Sequence, residues 1–236
     1  ELFRLVYCEL MSINIKEGEL ILIDKELNWT SFDVVNKIRY AIKKKFDIKK
    51  IKVGHAGTLD PLATGLLIIC CGKMTKSINN FSAMNKTYSG KITIGSTTPS
   101  YDLETKPNVH YPIDHIDEKL ILKTAKKFVG KIFQTPPMFS AIKKDGVRLY
   151  NLARQGKEIK IDKREVSIDS FEITSFNLPE ISFNVTCSKG TYIRSLAHDF
   201  GKELNSGAHL SELRRIKIGD YSVNDSVKVM DFIRGI

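Results

Sequence analysis

V-G-H-A-G-T-L-D-P-L-A-T-G-L-L-I-I, residues 53–69, sets one carboxylate, Asp60, in a stretch with little conformational freedom. Gly54, Gly57 and Gly65 admit backbone angles that residues with a Cβ reach only with strain, while Pro61 fixes its own φ and biases Asp60 away from helix. The apolar run 66–71 follows at once and reads as a buried strand, anchoring the loop to the core on that side. A glycine-rich loop with an Asp is, taken alone, more often a structural turn than a reaction centre. The rest of the chain has to decide between the two.

Upstream, residues 20–23 form an apolar strand. A polar turn follows, then a helix that starts at Thr30 or Ser31, with Asp33 just inside, and runs to Lys45. Its stripe of Val34, Val35, Ile38, Ala41 and Ile42 faces inward. Residues 43–52 hold six lysines and lead into the Asp60 loop; such a run is either a solvated face or a contact with a phosphate backbone. Downstream, 75–81 is a short helical pattern carrying Lys76, and 86–95 alternates as a strand with Tyr88, Gly90, Ile92 and Ile94 on one face. Periodicity alone makes Tyr88 a core aromatic. Residues 96–112, with three prolines, form a long connection containing Asp102, and 118–129 is a helix.

Strands at 165–176 and 181–187 are separated by so few residues that they pair antiparallel. A helix from Thr191 carries Ile193, Leu196, Ala197, Phe200 and Leu204 on one stripe and leaves Arg194 off it, and 207–225 reads as mixed strand and loop. Strands and helices do not alternate regularly enough for a doubly wound parallel sheet. The expected class is α+β, a mainly antiparallel mixed sheet flanked by helices.

At 236 residues and 42% hydrophobic content the chain can bury a sizeable core, and its formal charge of +10 points to a polyanionic partner. No apolar run approaches the ~20 residues of a membrane helix, and the N-terminus lacks the parts of a secretory signal, which predicts a cytoplasmic protein. Met11 is an alternative start. Cys8, Cys70, Cys71 and Cys187 show no paired spacing and the five histidines no ligand motif, so no metal is expected. Phosphate-loop and dinucleotide signatures are missing, and no second carboxylate stands close to Asp60 in sequence. From the residues alone the chain is a basic RNA-binding protein with one tightly held carboxylate, which can act as nucleophile or base without a cofactor.

The segment G-H-A-G-T-L-D-P-L-A-T-G-L-L (54–67) resembles the catalytic motif of the TruB family of tRNA pseudouridine-55 synthases. The resemblance continues in the family's order through W-T-S-F-D-V-V (29–35), K-T-Y-S-G (86–90), Q-T-P-P-M-F-S-A-I-K (134–143), C-S-K-G-T-Y-I-R-S-L (187–196) and G-A-H-L-S-E-L-R-R (207–215), covering roughly residues 20–220. It implies the pseudouridine synthase fold and conversion of uridine 55 in the tRNA T-loop to pseudouridine after base flipping, with no cofactor and no obligatory protein partner. By the same correspondence Asp60 is the catalytic aspartate, Arg194 the basic residue that pairs with it, and Tyr88 the aromatic stacking on the flipped base, with a phenol available for proton transfer. His55 lies by the space the extruded base leaves, as a positioning group. Lys76, Asp102, Tyr192 and Leu213 match further pocket or RNA-contacting positions.

The expected organisation is an N-terminal extension (1–18), a catalytic domain (19–225) and a short tail (226–236), without a complete C-terminal PUA-type domain. One departure is K-E-L-N (25–28) where the family has a K-P-x-G turn, expected to alter a loop and leave the site untouched. The rival readings are a non-catalytic RNA-binding or RNA-folding protein on the same scaffold and the catalytic subunit of a guide-RNA particle.

Overall fold

The computed structural model describes residues 17–144, 146–157 and 159–236; Cys8, Met11 and most of the expected N-terminal extension lie outside the described residues. In chain order the main elements are β1 (Leu20–Lys25), α1 (Ser31–Lys45), β2 (Val53–Ala56), β3 (Ala63–Cys71), a 3-10 turn (Gly72–Ser77), α2 (Ile78–Ala83), β4 (Lys86–Ile94), α3 (Glu118–Lys127) and β5 (Gly130–Gln134). They continue as α4 (Leu149–Arg154), β6 (Arg164–Asn177), β7 (Glu180–Cys187), α5 (Ile193–Glu203), β8 (Ala208–Ile218), β9 (Tyr221–Ser222), β10 (Val227–Lys228) and α6 (Val229–Gly235). The chain divides into two compact units, one running up to Lys86 and resuming at Arg214, the other Thr87–Leu213. The class is α+β with a mixed sheet flanked by helices, as expected.

The first unit is built on β3, in the strand order β10-β1-β3-β8 with β2 also paired to β3. Leu67, Ile69 and Cys71 pack on one face of β3 with Val34, Val35, Ile38 and Ile42 of α1 and with Val229 and Phe232 of α6. Leu66, Ile68 and Cys70 pack on the opposite face with Phe81 and Ile218. A strand covered on both faces has no polar side, which is why residues 66–71 read as one unbroken apolar run. Each such burial contributes about 1.5–3 kcal/mol, so β3 is the most firmly fixed support available to the loop that precedes it. Burial pushes the Cys70 and Cys71 thiols up to about 11 and about 12, the behaviour of inert core thiols. Helix α1 starts where expected, with a reciprocal capping box between Thr30 and Asp33.

Three sequence expectations change in this unit. Residues 53–56 are strand, not loop: β2 pairs antiparallel with β3, Val53 opposite Cys71 and Ala56 opposite Ile68. Gly57 and Gly65 have positive φ, +92° and +102°, whereas Gly54 sits within β2, where an added Cβ would meet Ile78 Cδ1 at 2.7 Å. The expected tail is part of the core, since β10 pairs parallel to β1 and α6 buries Val229 and Phe232.

In the second unit the strands run β8-β4-β7-β6-β5, with β6 antiparallel to both β7 and β5. Phe171 of β6 and Phe183 of β7 meet edge to face at 5.7 Å, and Phe171 meets Phe200 of α5 at 5.5 Å. The segment 207–225 is mostly one strand, β8, whose charged residues Glu212, Arg214 and Arg215 mask its strand character in the sequence. The long connection 96–112 is gathered by a two-residue antiparallel pair, Ser96–Thr97 with Val109–His110.

Candidate functional site

Residues 57–62 join β2 to β3, and the fold ties down the backbone on both sides of Asp60. Ser31, at the start of α1, accepts from Leu59 N at 2.8 Å and donates its hydroxyl to Leu59 O at 3.1 Å. Asp60 O accepts from Ala63 N at 3.0 Å, and Pro61 O accepts from Asn28 N at 2.8 Å. Asn28 has φ 66° and stands where the resembled K-P-x-G turn has glycine; Asn tolerates this left-handed conformation best among residues with a Cβ. The altered 25–28 turn is therefore a wall of the loop, where it was expected to leave the site untouched.

Two buried cations complete the seat. Arg215, 1% exposed on β8, donates through Nε to Leu66 O at 2.8 Å, through one terminal nitrogen to Gly57 O at 3.0 Å and through the other to Thr58 O at 3.4 Å. Lys25, 0% exposed at the end of β1, donates to Trp29 O at 2.7 Å, Glu26 O at 3.0 Å and Pro61 O at 3.5 Å. Gly65 makes this packing possible, because a Cβ there would lie 2.3 Å from Arg215 O. Asp60 itself is half-buried. Its neighbours on both sides are clamped, which fixes the backbone that carries the carboxylate.

Burial lowers Lys25 to about 8 from 10.5, with the Asp60 charge pulling the other way. Between those two values the unfolded chain binds the extra proton, so this group makes stability rise with pH across that window. Relative to Lys25→Met, the wild type is expected to gain on the order of 3 kcal/mol in urea unfolding from pH 8 to pH 10.5. Parallel pH dependences of the two proteins would contradict the assignment. His55, on β2, is half-buried; burial first and the Arg215 charge second hold its imidazole below the usual range, opposed by the Gly57 backbone. It is neutral at pH 7, which suits a positioning group and not a cationic proton donor.

In the second unit, Arg194 of α5 and Asp102 are brought together, with Nε to Oδ2 at 3.6 Å and exposures of 4% and 6%. Arg194 also donates to Phe139 O at 2.9 Å and Ser100 O at 3.4 Å. Asp102 is held in turn: its carbonyl accepts from Thr98 Oγ1 at 2.6 Å and Ser100 Oγ at 3.1 Å, and its carboxylate from Glu104 N at 3.0 Å. The preceding Tyr101 has φ 65° and stacks on His198 at 3.8 Å. A buried guanidinium with a carboxylate and two carbonyls is oriented more firmly than an exposed one. The Tyr192 backbone is bracketed by Gln134, whose Oε1 accepts from its N–H at 2.8 Å and whose Nε2 donates to its carbonyl at 3.0 Å. Tyr88 and Leu213 are buried, on β4 and β8.

In the first unit Lys76 is not in the Asp60 loop. It lies in the 3-10 turn that starts at the opposite end of the β2–β3 hairpin. The residues that sequence reading missed are Lys25, Ser31 and Arg215. The signal for Arg215 was its place in step with Leu213 along a strand, which puts a cation on an inward face.

Residues 43–193 match the family model described as TruB family pseudouridylate synthase (N terminal domain), and residues 194–234 match the tRNA pseudouridylate synthase B C-terminal domain. A protein of Flavobacterium johnsoniae named tRNA pseudouridine synthase B is 58% identical over 92% of this chain and 95% of its own length. One of the same name from Phocaeicola vulgatus is 52% identical over 93% of this chain and 94% of its own. Among solved structures, a chain in a crystal structure of a Cbf5-Nop10-Gar1 complex superposes with TM-score 0.69 at 27% identity. The superposition covers 95% of this chain and 56% of that one.

Proposed function

Because the chain belongs to the TruB family of pseudouridylate synthases, we propose that it converts uridine 55 in the T-loop of tRNA to pseudouridine, with Asp60 as the catalytic carboxylate. It is an enzyme acting on tRNA, and the T-arm is the part it grips. The observation that carries the finer reading is the seat of Asp60: a family motif whose backbone is fixed at Gly57, Thr58, Leu59 and Pro61 around one carboxylate.

The reaction is an isomerisation. The bond from ribose C1′ to N1 of the base breaks, the bond from C1′ to C5 forms, and one proton leaves C5 while one returns to nitrogen. The balance needs no oxidant, reductant or co-substrate. The target must first leave its stack, at a cost of a few kcal/mol. Stacking on the Tyr88 ring, at about 1–3 kcal/mol, offsets much of that. Asp60 then attacks C1′, or removes a sugar proton so that a glycal forms. The Tyr88 phenol serves the later proton transfer, and Arg194, oriented by Asp102, supplies the catalytic cation. Neutral His55 positions the extruded base.

The test is a naked tRNA transcript labelled with tritium at uridine C5. Tritium release is expected from the wild-type transcript and not from one carrying cytidine at position 55, with no guide RNA or partner protein added. Activity that appears only with a guide RNA would replace this reading with that of a particle subunit.

A further inference from the structure

We propose that a pocket of about 350 Å³ at the end of the β2–β3 hairpin away from Asp60 is a second RNA contact that seats one ribose-phosphate of the tRNA arm. This rests on the reading of the substrate as tRNA and adds a place on the protein where the strand is held outside the reacting nucleotide.

Two chain segments form the pocket. Residues 48–52 bring Ile48, Ile51, Lys50 and Lys52, and residues 72–76 bring Lys73 and Lys76. The segments are fixed to each other by Gly72 N donating to Lys52 O at 2.9 Å, and the second is tightened by Thr75 Oγ1 donating to Gly72 O at 2.7 Å. Ile48 and Ile51 are half-buried and packed on the core below, so they give a firm apolar floor. The four lysines are exposed around it, and among the described residues that line the pocket none is acidic. The ion pair of Lys73 with Glu17 at 2.7 Å lies in solvent, with side-chain exposures of 64% and 63%, and such a pair is weak enough to exchange for a phosphate.

An apolar floor rimmed by four lysines matches a nucleotide: the sugar packs on the isoleucines and the phosphate faces the lysines. The volume lies at the small end of ligand pockets, which suits one residue of a strand and not a folded partner. A diffuse basic face would have no such floor. The distinction also divides the run 43–52, since Lys43, Lys44 and Lys45 belong to the last turn of α1 whereas Lys50 and Lys52 line the pocket.

The experiment compares two triple variants of equal charge change, Lys50→Ala/Lys52→Ala/Lys73→Ala in the pocket and Lys43→Ala/Lys44→Ala/Lys45→Ala on the helix end. Lys76 stays intact because its family correspondence already gives it an RNA role. Kd for tRNA is measured from about 50 to 300 mM salt, alongside kcat at saturating tRNA. The pocket variant is expected to reduce the slope of log affinity against log salt by about 1, the share of one phosphate, and to weaken binding about 10-fold at 100 mM salt, with kcat within about twofold. The helix variant is expected to change the slope by less than about 0.3. Equal slopes in the two variants would reduce the pocket to diffuse charge, and an unchanged slope in the pocket variant would remove it altogether. Wild-type turnover on the same transcript is scored separately, so a wrong substrate and a wrong pocket give different results.

Discussion

Asp60→Asn abolishes pseudouridine formation, lowering kcat on the order of 10⁴-fold or more, while tRNA Kd changes less than about threefold. The two halves of that expectation come from different parts of the structure. Asparagine matches the shape of aspartate, and the loop is held through its neighbours: Leu59 by Ser31, Pro61 by Asn28 and Lys25, Gly57 and Thr58 by Arg215. The substitution therefore leaves the seat standing. What disappears is the negative charge and the lone pair able to attack C1′ or take a sugar proton. No other carboxylate is contributed by residues 57–62, so a neighbour in the loop has nothing to substitute. Tritium release under single-turnover conditions measures the first half and filter binding the second. Undiminished release would remove Asp60 from the chemistry and favour the reading of an RNA-folding protein on this scaffold.

The features legible in the sequence are those written in local pattern. Helix α1 has its capping box and its inward stripe in one contiguous segment, and β3 announces itself because it is covered on both faces. The carboxylate of Asp60 stood out by the glycines and proline around it. What stayed hidden depends on contacts between segments far apart in the chain. β2 was missed because Gly54 and the nearby loop glycine outweigh four residues of strand. The buried guanidinium of Arg215 looks like any surface cation in a polar stretch. Its burial follows from the close approach of β8 to Gly65, which needs both strands in place. Lys25 is equally opaque, since its carbonyl partners Glu26, Trp29 and Pro61 come from two segments that only the fold brings together. Asp102 and Arg194 were both recognised, but their mutual pairing required the 96–112 connection to be folded back by Tyr101 on His198.

Arg215→Met is expected to have the second largest effect, because this side chain carries a structural and a positional role at once. Methionine fills much of the same volume but supplies no donor, leaving the carbonyls of Leu66, Gly57 and Thr58 without their guanidinium. Each lost bond to a buried group costs about 1–3 kcal/mol, and part of the sum is returned because no charge needs to be desolvated, so a net loss of about 3 kcal/mol is reasonable. For a chain of this size that corresponds to a fall in Tm of about 6–12 °C. The loss in stability alone would leave the folded fraction fully active. Two of the three carbonyls, however, belong to residues 57 and 58 of the Asp60 loop, and the third anchors β3 just beyond it. Releasing them lets the carboxylate drift from its aim, and a displacement of about 1 Å costs on the order of 100-fold in turnover. The variant is therefore expected, well below its Tm, to lose about 100-fold in kcat with tRNA affinity nearly unchanged. Arg215→Lys, which keeps the charge and one or two of the donors, should recover part of both losses. Full kcat in folded Arg215→Met, with only Tm lowered, would make Arg215 a stabilising residue and return the aim of Asp60 to Ser31, Asn28 and Lys25 alone.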